Sequence, residues 1–125
     1  MARELLVSNT TGTVVYATIR VPLNRNHADG GRIGYWFNQR TLTFEVFTAG
    51  NWVDYDIALT ELGTTGLFEG DMPVGGLGVG VEPEKALEVI YWQRAGATPA
   101  MTDTKITGSL FEFPDEWVAV SSLRV

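Results

Sequence analysis

Alternation of apolar and polar side chains is clearest in the stretch Thr13-Val14-Val15-Tyr16-Ala17-Thr18-Ile19-Arg20-Val21. In an extended strand, successive side chains point to opposite faces. One face of this strand therefore collects Val15, Ala17, Ile19 and Val21, and the other collects Val14, Tyr16, Thr18 and Arg20. An aliphatic face of this kind indicates a β-strand that packs one side against a core.

Short segments of the same kind recur on both sides of this strand, with turn residues between them. They cover residues 4–8, 33–37, 41–48, 52–59, 86–94 and 105–113, and one more follows the break at 63–66. Seven or eight short strands in 125 residues predict one all-β domain, residues 1–125. We expect an antiparallel β-sandwich of immunoglobulin-like or prealbumin-like type, with a small barrel as the alternative.

Charge and composition exclude several kinds of partner. The chain has 15 acidic and 9 basic residues, a net charge of −6 and no Lys or Arg cluster. Such a surface repels phosphate backbones and anionic lipids, so we expect neither nucleic acid nor a membrane as partner. Without Cys, disulfides and thiolate sites are excluded. The apolar run Leu5-Leu6-Val7 is too short for a signal peptide or a membrane span, which predicts a soluble protein made in the cytoplasm.

Two pairs of carboxylates are candidates for chemistry. Asp54 and Asp56 lie two positions apart on the predicted strand 52–59, so both are expected on one face. Such a pair serves as acid and base in glycoside hydrolysis or binds calcium. Calcium takes about six or more oxygen ligands, and the flanking side chains add none. We therefore interpret this pair, and the similar pair Glu69 and Asp71, as solvated carboxylates that hold no cation.

Two other features resemble sites but lack the residues that would complete them. His27 is the only histidine, and its polar loop contains neither a nucleophile nor a second soft metal ligand. The cluster Gly75-Gly76-Leu77-Gly78-Val79-Gly80 lacks the helix and the Lys-Ser/Thr pair of a nucleotide-binding loop. We interpret residues 74–80 as a flexible contact loop. The sequence therefore predicts no catalytic residue, no cofactor and no metal, and hence no enzyme.

Aromatic side chains are the remaining means of binding a ligand. The aromatic residues of the predicted strands and of the C-terminal segment are Tyr35, Trp36, Phe37, Trp52, Tyr91, Trp92 and Trp117. Most are expected in the core, but the adjacent pair Tyr91 and Trp92 must point to opposite faces of their strand. An outward aromatic strip stacks on sugar rings in carbohydrate-binding modules, or is buried in a subunit interface.

Three stretches combine turn glycines, core aromatics and a strand-ending proline. They are Val14 to Arg20, Thr60-Glu61-Leu62-Gly63 with Gly66-Leu67-Phe68-Glu69-Gly70-Asp71-Met72-Pro73, and Val89-Ile90-Tyr91-Trp92-Gln93-Arg94-Ala95-Gly96-Ala97-Thr98-Pro99-Ala100. Together they resemble small β-sandwich proteins encoded by tailed bacteriophages, from which residues 75–85 depart. The resemblance implies a capsid decoration, head-fibre or tail accessory component in the virion, with no catalytic or ligand residues.

The predicted function is thus a non-enzymatic virion structural protein, and a carbohydrate-binding module is the alternative. Its partners would be other virion proteins and further copies of itself, assembled through apolar contacts. The residues expected to make these contacts are Leu5, Leu6, Val7, Leu77, Val79, Trp117, Leu123 and Val125.

Overall fold

The computed structural model of the chain describes residues 5–21, 34–71 and 86–112. The strands are β1 Leu5–Ser8, β2 Val15–Arg20, β3 Trp36–Asn38, β4 Thr43–Glu45, β5 Ile57–Ala58, β6 Thr60–Glu61, β7 Leu67–Gly70, β8 Ala86–Gln93 and β9 Thr104–Glu112. A 3-10 turn at Ala49–Asn51 leads into the short helix α1, Trp52–Tyr55. The all-β prediction is confirmed.

The strands form two antiparallel sheets. The larger sheet has the order β4-β3-β2-β8-β9, and β5 pairs with the same side of β2 as β3 does. The smaller sheet has the order β1-β7-β6. The predicted strands Thr13–Val21 and Ala86–Arg94 are confirmed as β2 and β8, the two central strands of the larger sheet. β2 pairs with β8 along its whole length, from Val15 opposite Gln93 to Arg20 opposite Glu88.

One extended segment joins the two sheets. β5 pairs with β2, and two residues later β6 pairs with β7 of the other sheet. Leu59 lies at this crossing, where its backbone N–H donates to the carbonyl of Val15 at 3.1 Å. A Cβ at Gly70 would lie 2.5 Å from Cδ2 of Leu59 and 3.2 Å from the backbone oxygen of Ala58, so glycine favours the close approach of β7 to this crossing.

The core lies between the two sheets. β2 directs Val15, Ala17 and Ile19 into it, as the alternation predicted, and the smaller sheet covers these residues from the other side. The buried members are Leu5, Val7, Val15, Ala17, Ile19, Val21, Phe37, Phe44, Leu59, Phe68, Leu87, Val89 and Tyr91. Burying such side chains contributes about 1.5–3 kcal/mol each, which makes this layer the main source of stability.

The strand predicted at residues 52–59 is wrong over its first half. Trp52 and Tyr55 are three positions apart and both buried, which is the spacing of one helical face, and Val53 between them is exposed. The hydroxyl of Tyr55 also accepts a hydrogen bond from the N–H of Thr48 at 3.0 Å, which holds this turn against the preceding loop.

The strand predicted at residues 41–48 is shorter than expected. Leu42 has a φ of 60°, in the left-handed region that a strand does not use, and its N–H donates to the carbonyl of Asn38 at 2.7 Å. A tight turn therefore occupies the start of the segment, and only Thr43–Glu45 is extended. The predicted strand 52–59 divides into α1 and β5, and β6 is a strand that was not predicted. The described residues therefore contain nine strands, where seven or eight were predicted.

Candidate functional site

Aromatic side chains cover the outer face of the larger sheet. A second buried cluster forms there, outside the main core, where α1 packs on the central strands. Its rings belong to Tyr16, Trp36, Phe47, Trp52, Tyr55 and Trp92. As predicted for adjacent residues of one strand, Tyr91 enters the main core while Trp92 joins this outer cluster. Phe47, which the sequence did not single out, is 38% exposed and is the most accessible ring of the group.

Most of the rings pack against one another at an angle, so the group does not form a flat platform. Trp52 meets Trp92 edge-on, with centroids 5.2 Å apart and planes at 85°. Trp36 stacks with Tyr55 at 5.8 Å and contacts Phe47 at 5.2 Å. The guanidinium of Arg20 lies 5.5 Å from the centroid of Trp36. Ring contacts at such distances contribute about 0.5–1.5 kcal/mol each beyond burial, so this layer acts first as a second core.

A buried carboxylate connects this aromatic layer to the loop after β8. Asp103 is 6% exposed and accepts hydrogen bonds from the backbone N–H groups of Ala95 and Ala100, at 3.0 and 2.9 Å. The hydroxyl of Tyr16 donates to the same carboxylate at 2.6 Å and accepts from the indole N–H of Trp52 at 3.2 Å. One hydroxyl and one carboxylate thus tie β2, α1 and the loop together.

The hydrogen bonds at this carboxylate determine its charge state. Burial alone would raise the pKa of Asp103, but the hydroxyl of Tyr16 and the two backbone donors outweigh burial and lower it below its ordinary 3.8. Burial and the bond to Asp103 raise the pKa of Tyr16 far above its ordinary 10.0. The pair is therefore a fixed carboxylate and a neutral phenol, an arrangement suited to holding structure.

Glu45 and Glu61 are held in the same manner. Glu45 accepts from the hydroxyl of Tyr55 at 2.6 Å and from the side-chain amide of Asn51 at 2.8 Å, which lowers its pKa. Glu61 accepts from Thr11, from the N–H of Gly12 at 3.0 Å and from the N–H of Gly66 at 2.9 Å. These bonds lower its pKa and join the turn after β1 to the turn before β7.

The carboxylate pair predicted at Asp54 and Asp56 is not formed on a strand face. Asp54 lies in α1, where it accepts from the guanidinium Nε of Arg40 at 2.9 Å. Asp56 follows the helix, and burial raises the pKa of its carboxyl above the ordinary 3.8. Glu69 lies in β7 opposite Leu6 and Thr60, and Asp71 lies just beyond the strand.

The predicted contact residues have different environments. Leu5 and Val7 are buried in the main core, so their side chains stabilise the domain itself. Leu6 points the other way and is 50% exposed. The other predicted residues, Leu77, Val79, Trp117, Leu123 and Val125, lie outside the described residues, as do His27 and the glycine-rich loop. Other exposed apolar side chains were not predicted as contacts: Val14, Val46, Phe47, Val53, Leu62 and Met101.

Asp103 and Glu61 were missed because each has a partner that is distant in sequence. Tyr16 and Asp103 are 87 positions apart, and Thr11 and Glu61 are 50 apart. A Tyr on the outward face of an otherwise apolar strand is a weak signal that its hydroxyl needs a partner. Nothing in the sequence identifies Asp103 as that partner.

The described residues form a small antiparallel β-sandwich with a second aromatic core on the outer face of its larger sheet. Within residues 5–21, 34–71 and 86–112, no group of three or more His, Asp or Glu side chains could hold a metal ion. No helix in this part of the chain has the length and apolarity needed to cross a membrane. Comparisons with protein-family models, curated proteins and solved structures found no match to the chain.

Proposed function

We propose that this chain is a non-enzymatic structural component of a tailed-bacteriophage virion, assembled through protein–protein contacts as a decoration, head-fibre or tail accessory protein. Its partners are other virion proteins and further copies of itself. The observation that carries this proposal is a contrast between two kinds of side chain. Carboxylates are hydrogen-bonded within the domain, whereas large apolar side chains remain exposed. Glu45, Glu61 and Asp103 are each held by two or more hydrogen bonds within the domain.

Large apolar side chains, in contrast, remain accessible in the same part of the chain. Leu6 and Leu62 are each 50% exposed on or beside the smaller sheet, and Val46 and Val53 are exposed near α1. These side chains offer apolar contacts that a partner protein could cover, which supports a role in assembly. The resemblance of three stretches to phage β-sandwich proteins selects the virion as the assembly.

Co-sedimentation with virus particles tests this function. Particles from a culture that produces the protein are banded on a density gradient, and the chain is detected in each fraction with an antibody. The expected result is that it bands with intact particles and keeps a fixed ratio to the major capsid protein through a second gradient. Recovery only from the unbound fractions would contradict the proposal.

Leu6 offers a test of the predicted N-terminal contact. We expect Leu6→Lys to reduce incorporation into particles, because it places a charge where an apolar contact is proposed. Its melting temperature should change little, since the side chain is half exposed. Ser8→Lys is the matched control, because Ser8 is exposed two residues along the same strand. Equal incorporation of the two variants would show that Leu6 makes no contact in the particle.

Carbohydrate binding is the second candidate function. Phe47 is the most exposed ring of the outer aromatic layer, and Trp36 and Trp92 are half buried beside it. Partly exposed rings close to a charged side chain, here Arg20 against Trp36, can stack on sugars. The tilted packing of the rings leaves little flat surface for this purpose, which is why assembly is preferred.

Affinity electrophoresis through gels containing a panel of polysaccharides tests the second candidate. If the aromatic layer binds glycans, the wild-type chain is retarded by at least one polysaccharide, and Phe47→Ala abolishes the retardation. Val53→Ala is the control, because Val53 is an exposed apolar side chain of α1 without a ring. Free migration of the wild-type chain through every gel would exclude this function.

A further inference from the structure

The outer face of the smaller sheet presents apolar side chains on both of its flanking strands. β7 is the central strand, with β1 on one side and β6 on the other. Leu6 of β1 points away from the main core and is 50% exposed. Leu62 directly follows β6 and is also 50% exposed. Its N–H donates to the carbonyl of Leu67 at 2.8 Å, which continues the pairing of β6 with β7.

The register places Glu69 between these two leucines. Glu69 of β7 is opposite Leu6 on one side and opposite Thr60 on the other. Residues directly opposite each other in antiparallel strands point to the same face, with Cβ atoms about 4.5–5.5 Å apart. Leu62 shares that face because it lies two positions from Thr60, and the half-buried Leu67 does so because it lies two positions from Glu69. These five residues form the Glu69 face.

The carboxylate of Glu69 is unpaired within the part of the chain that the structure describes. None of those residues donates a hydrogen bond to it or forms an ion pair with it. Glu45, Glu61 and Asp103, in contrast, each accept two or more hydrogen bonds within the domain, and Glu88 forms an ion pair. Because no such contact uses the charge of Glu69, that charge is available to a partner.

A partner that buries the two leucines must also cover Glu69. A surface that contacts both Leu6 and Leu62 crosses β7, where the carboxylate stands between them. Removing a carboxylate from water without a compensating donor is strongly unfavourable, so the partner has to supply one. The net charge of −6 on the chain favours a basic partner. A cationic side chain set between apolar side chains meets both requirements.

The Glu69 face is not complementary to itself. It contains three leucines, one threonine and one glutamate, and therefore no cation. Two such faces stacked on each other would bury two carboxylates with no positive charge between them, which is unfavourable. Two chains of net charge −6 also repel each other at long range. A protein of different composition fits this face better than a second copy does.

We propose that the Glu69 face docks a second protein that presents a Lys or Arg side chain between apolar side chains. The cation binds the carboxylate of Glu69, and the apolar groups cover Leu6 and Leu62. Ser8, which is opposite Leu67, lies at the rim of the contact, where a charge stays in water. This inference rests on the proposed role in assembly, to which it adds the chemistry of the partner and the face that binds it.

Photo-cross-linking of the full chain, in a culture that produces it, identifies the partner. A benzophenone amino acid takes the place of Leu62, and cross-linked peptides are sequenced by mass spectrometry after irradiation. We expect a peptide of another protein, with Lys or Arg close to the point of attachment. The same probe in place of Val53, an exposed side chain of α1, is the control and should not yield this peptide.

Charge removal at Glu69 tests whether the carboxylate binds the cation. We expect Glu69→Gln to lower the yield of the cross-link from position 62 at least about tenfold, because the partner's cation loses its counter-charge in the interface. The melting temperature should not change, since no described residue bonds to this carboxylate. Asp54→Asn removes an equal charge from α1 and should leave the yield unchanged. Glu69→Lys should abolish the cross-link, and replacing the partner's cation by Glu should restore it.

The other possible results are equally informative. The inference is overturned by the absence of a cross-link from position 62, by a peptide from a second copy of this chain, or by a peptide without a nearby cation. Equal yields from the wild type and Glu69→Gln overturn it as well. Particle banding without the cross-link removes this inference alone. The expected cross-link to a protein that is absent from particles removes the virion function and leaves the docking face standing.

Discussion

Replacing Asp103 by Asn is expected to lower the free energy of unfolding by about 2–4 kcal/mol, or about 10 °C in melting temperature for a domain of this size. The carboxylate accepts from two backbone N–H groups, those of Ala95 and Ala100, and from the hydroxyl of Tyr16. An Asn side chain has one acceptor oxygen where the carboxylate has two, and its NH2 group would face a donor. Because the site is nearly inaccessible to water, no solvent replaces the lost bond.

Two further variants separate this network from surface electrostatics. Asp54→Asn removes an equal charge from a pair whose partner Arg40 is largely exposed, and we expect a loss of about 0.5 kcal/mol. Tyr16→Phe removes the other half of the network and should cost about 1–2 kcal/mol. Combined with Asp103→Asn it should cost less than the sum of the two, since both break the same bond. Equal losses in Asp103→Asn and Asp54→Asn would contradict this role.

The same carboxylate makes stability depend on pH in a defined direction. The pKa of Asp103 is lowered in the folded state, so its contribution is complete above the ordinary value of 3.8 and is lost as the pH falls below it. Asp56 acts oppositely, because its raised pKa means that the folded state binds a proton more readily. The stability difference between wild type and Asp103→Asn should therefore shrink as the solution is acidified below pH 3.8. Chemical denaturation of both proteins at several pH values measures this difference in the free energy of unfolding.

The sequence predicted the sheets well because their signal is local. Strict alternation over nine residues identified β2 and the side chains that it buries, and a run of apolar residues identified β8 as a central strand. The helix at Trp52–Tyr55 was missed because four residues are too few to show a helical period. Its position depends on contacts of Trp52 and Tyr55 with rings from β2, β3 and β8, which a local pattern does not contain.

The candidate site was predicted less completely than the fold. That one of Tyr91 and Trp92 must face outward follows from strand geometry, and the structure confirms it. The sequence could not show that α1 would cover the outward rings, nor that Asp103 would bind Tyr16 across the sheet. A bulge in β9 at Ile106 likewise leaves no mark in composition. Features that depend on pairing between strands distant in sequence cannot be predicted from a local pattern, because they are defined only by the three-dimensional arrangement.

Replacing Gly66 by Ala is expected to cost about 3 kcal/mol, for two reasons that add. Its φ of 78° is unfavourable for a residue with a Cβ, which accounts for about 1 kcal/mol. The new Cβ would also lie 2.7 Å from the backbone oxygen of Asn9. To relieve this contact the two turns must move apart, which breaks the 2.8 Å hydrogen bond from the N–H of Asn9 to the carbonyl of Gly66.

Gly63 in the same turn provides the control that separates the two causes. Its φ is 62°, close to that of Gly66, but a Cβ there would have no atom within 4 Å. Gly63→Ala should therefore cost only the backbone term, about 1 kcal/mol. The excess for Gly66→Ala measures the close approach of β1 to β7, which Glu61 and Asn9 hold together. Equal midpoints of urea denaturation for the two variants would contradict this account. They would mean that the backbone of Asn9 moves away from the new Cβ without loss of stability, and that the contact between these turns is not rigid.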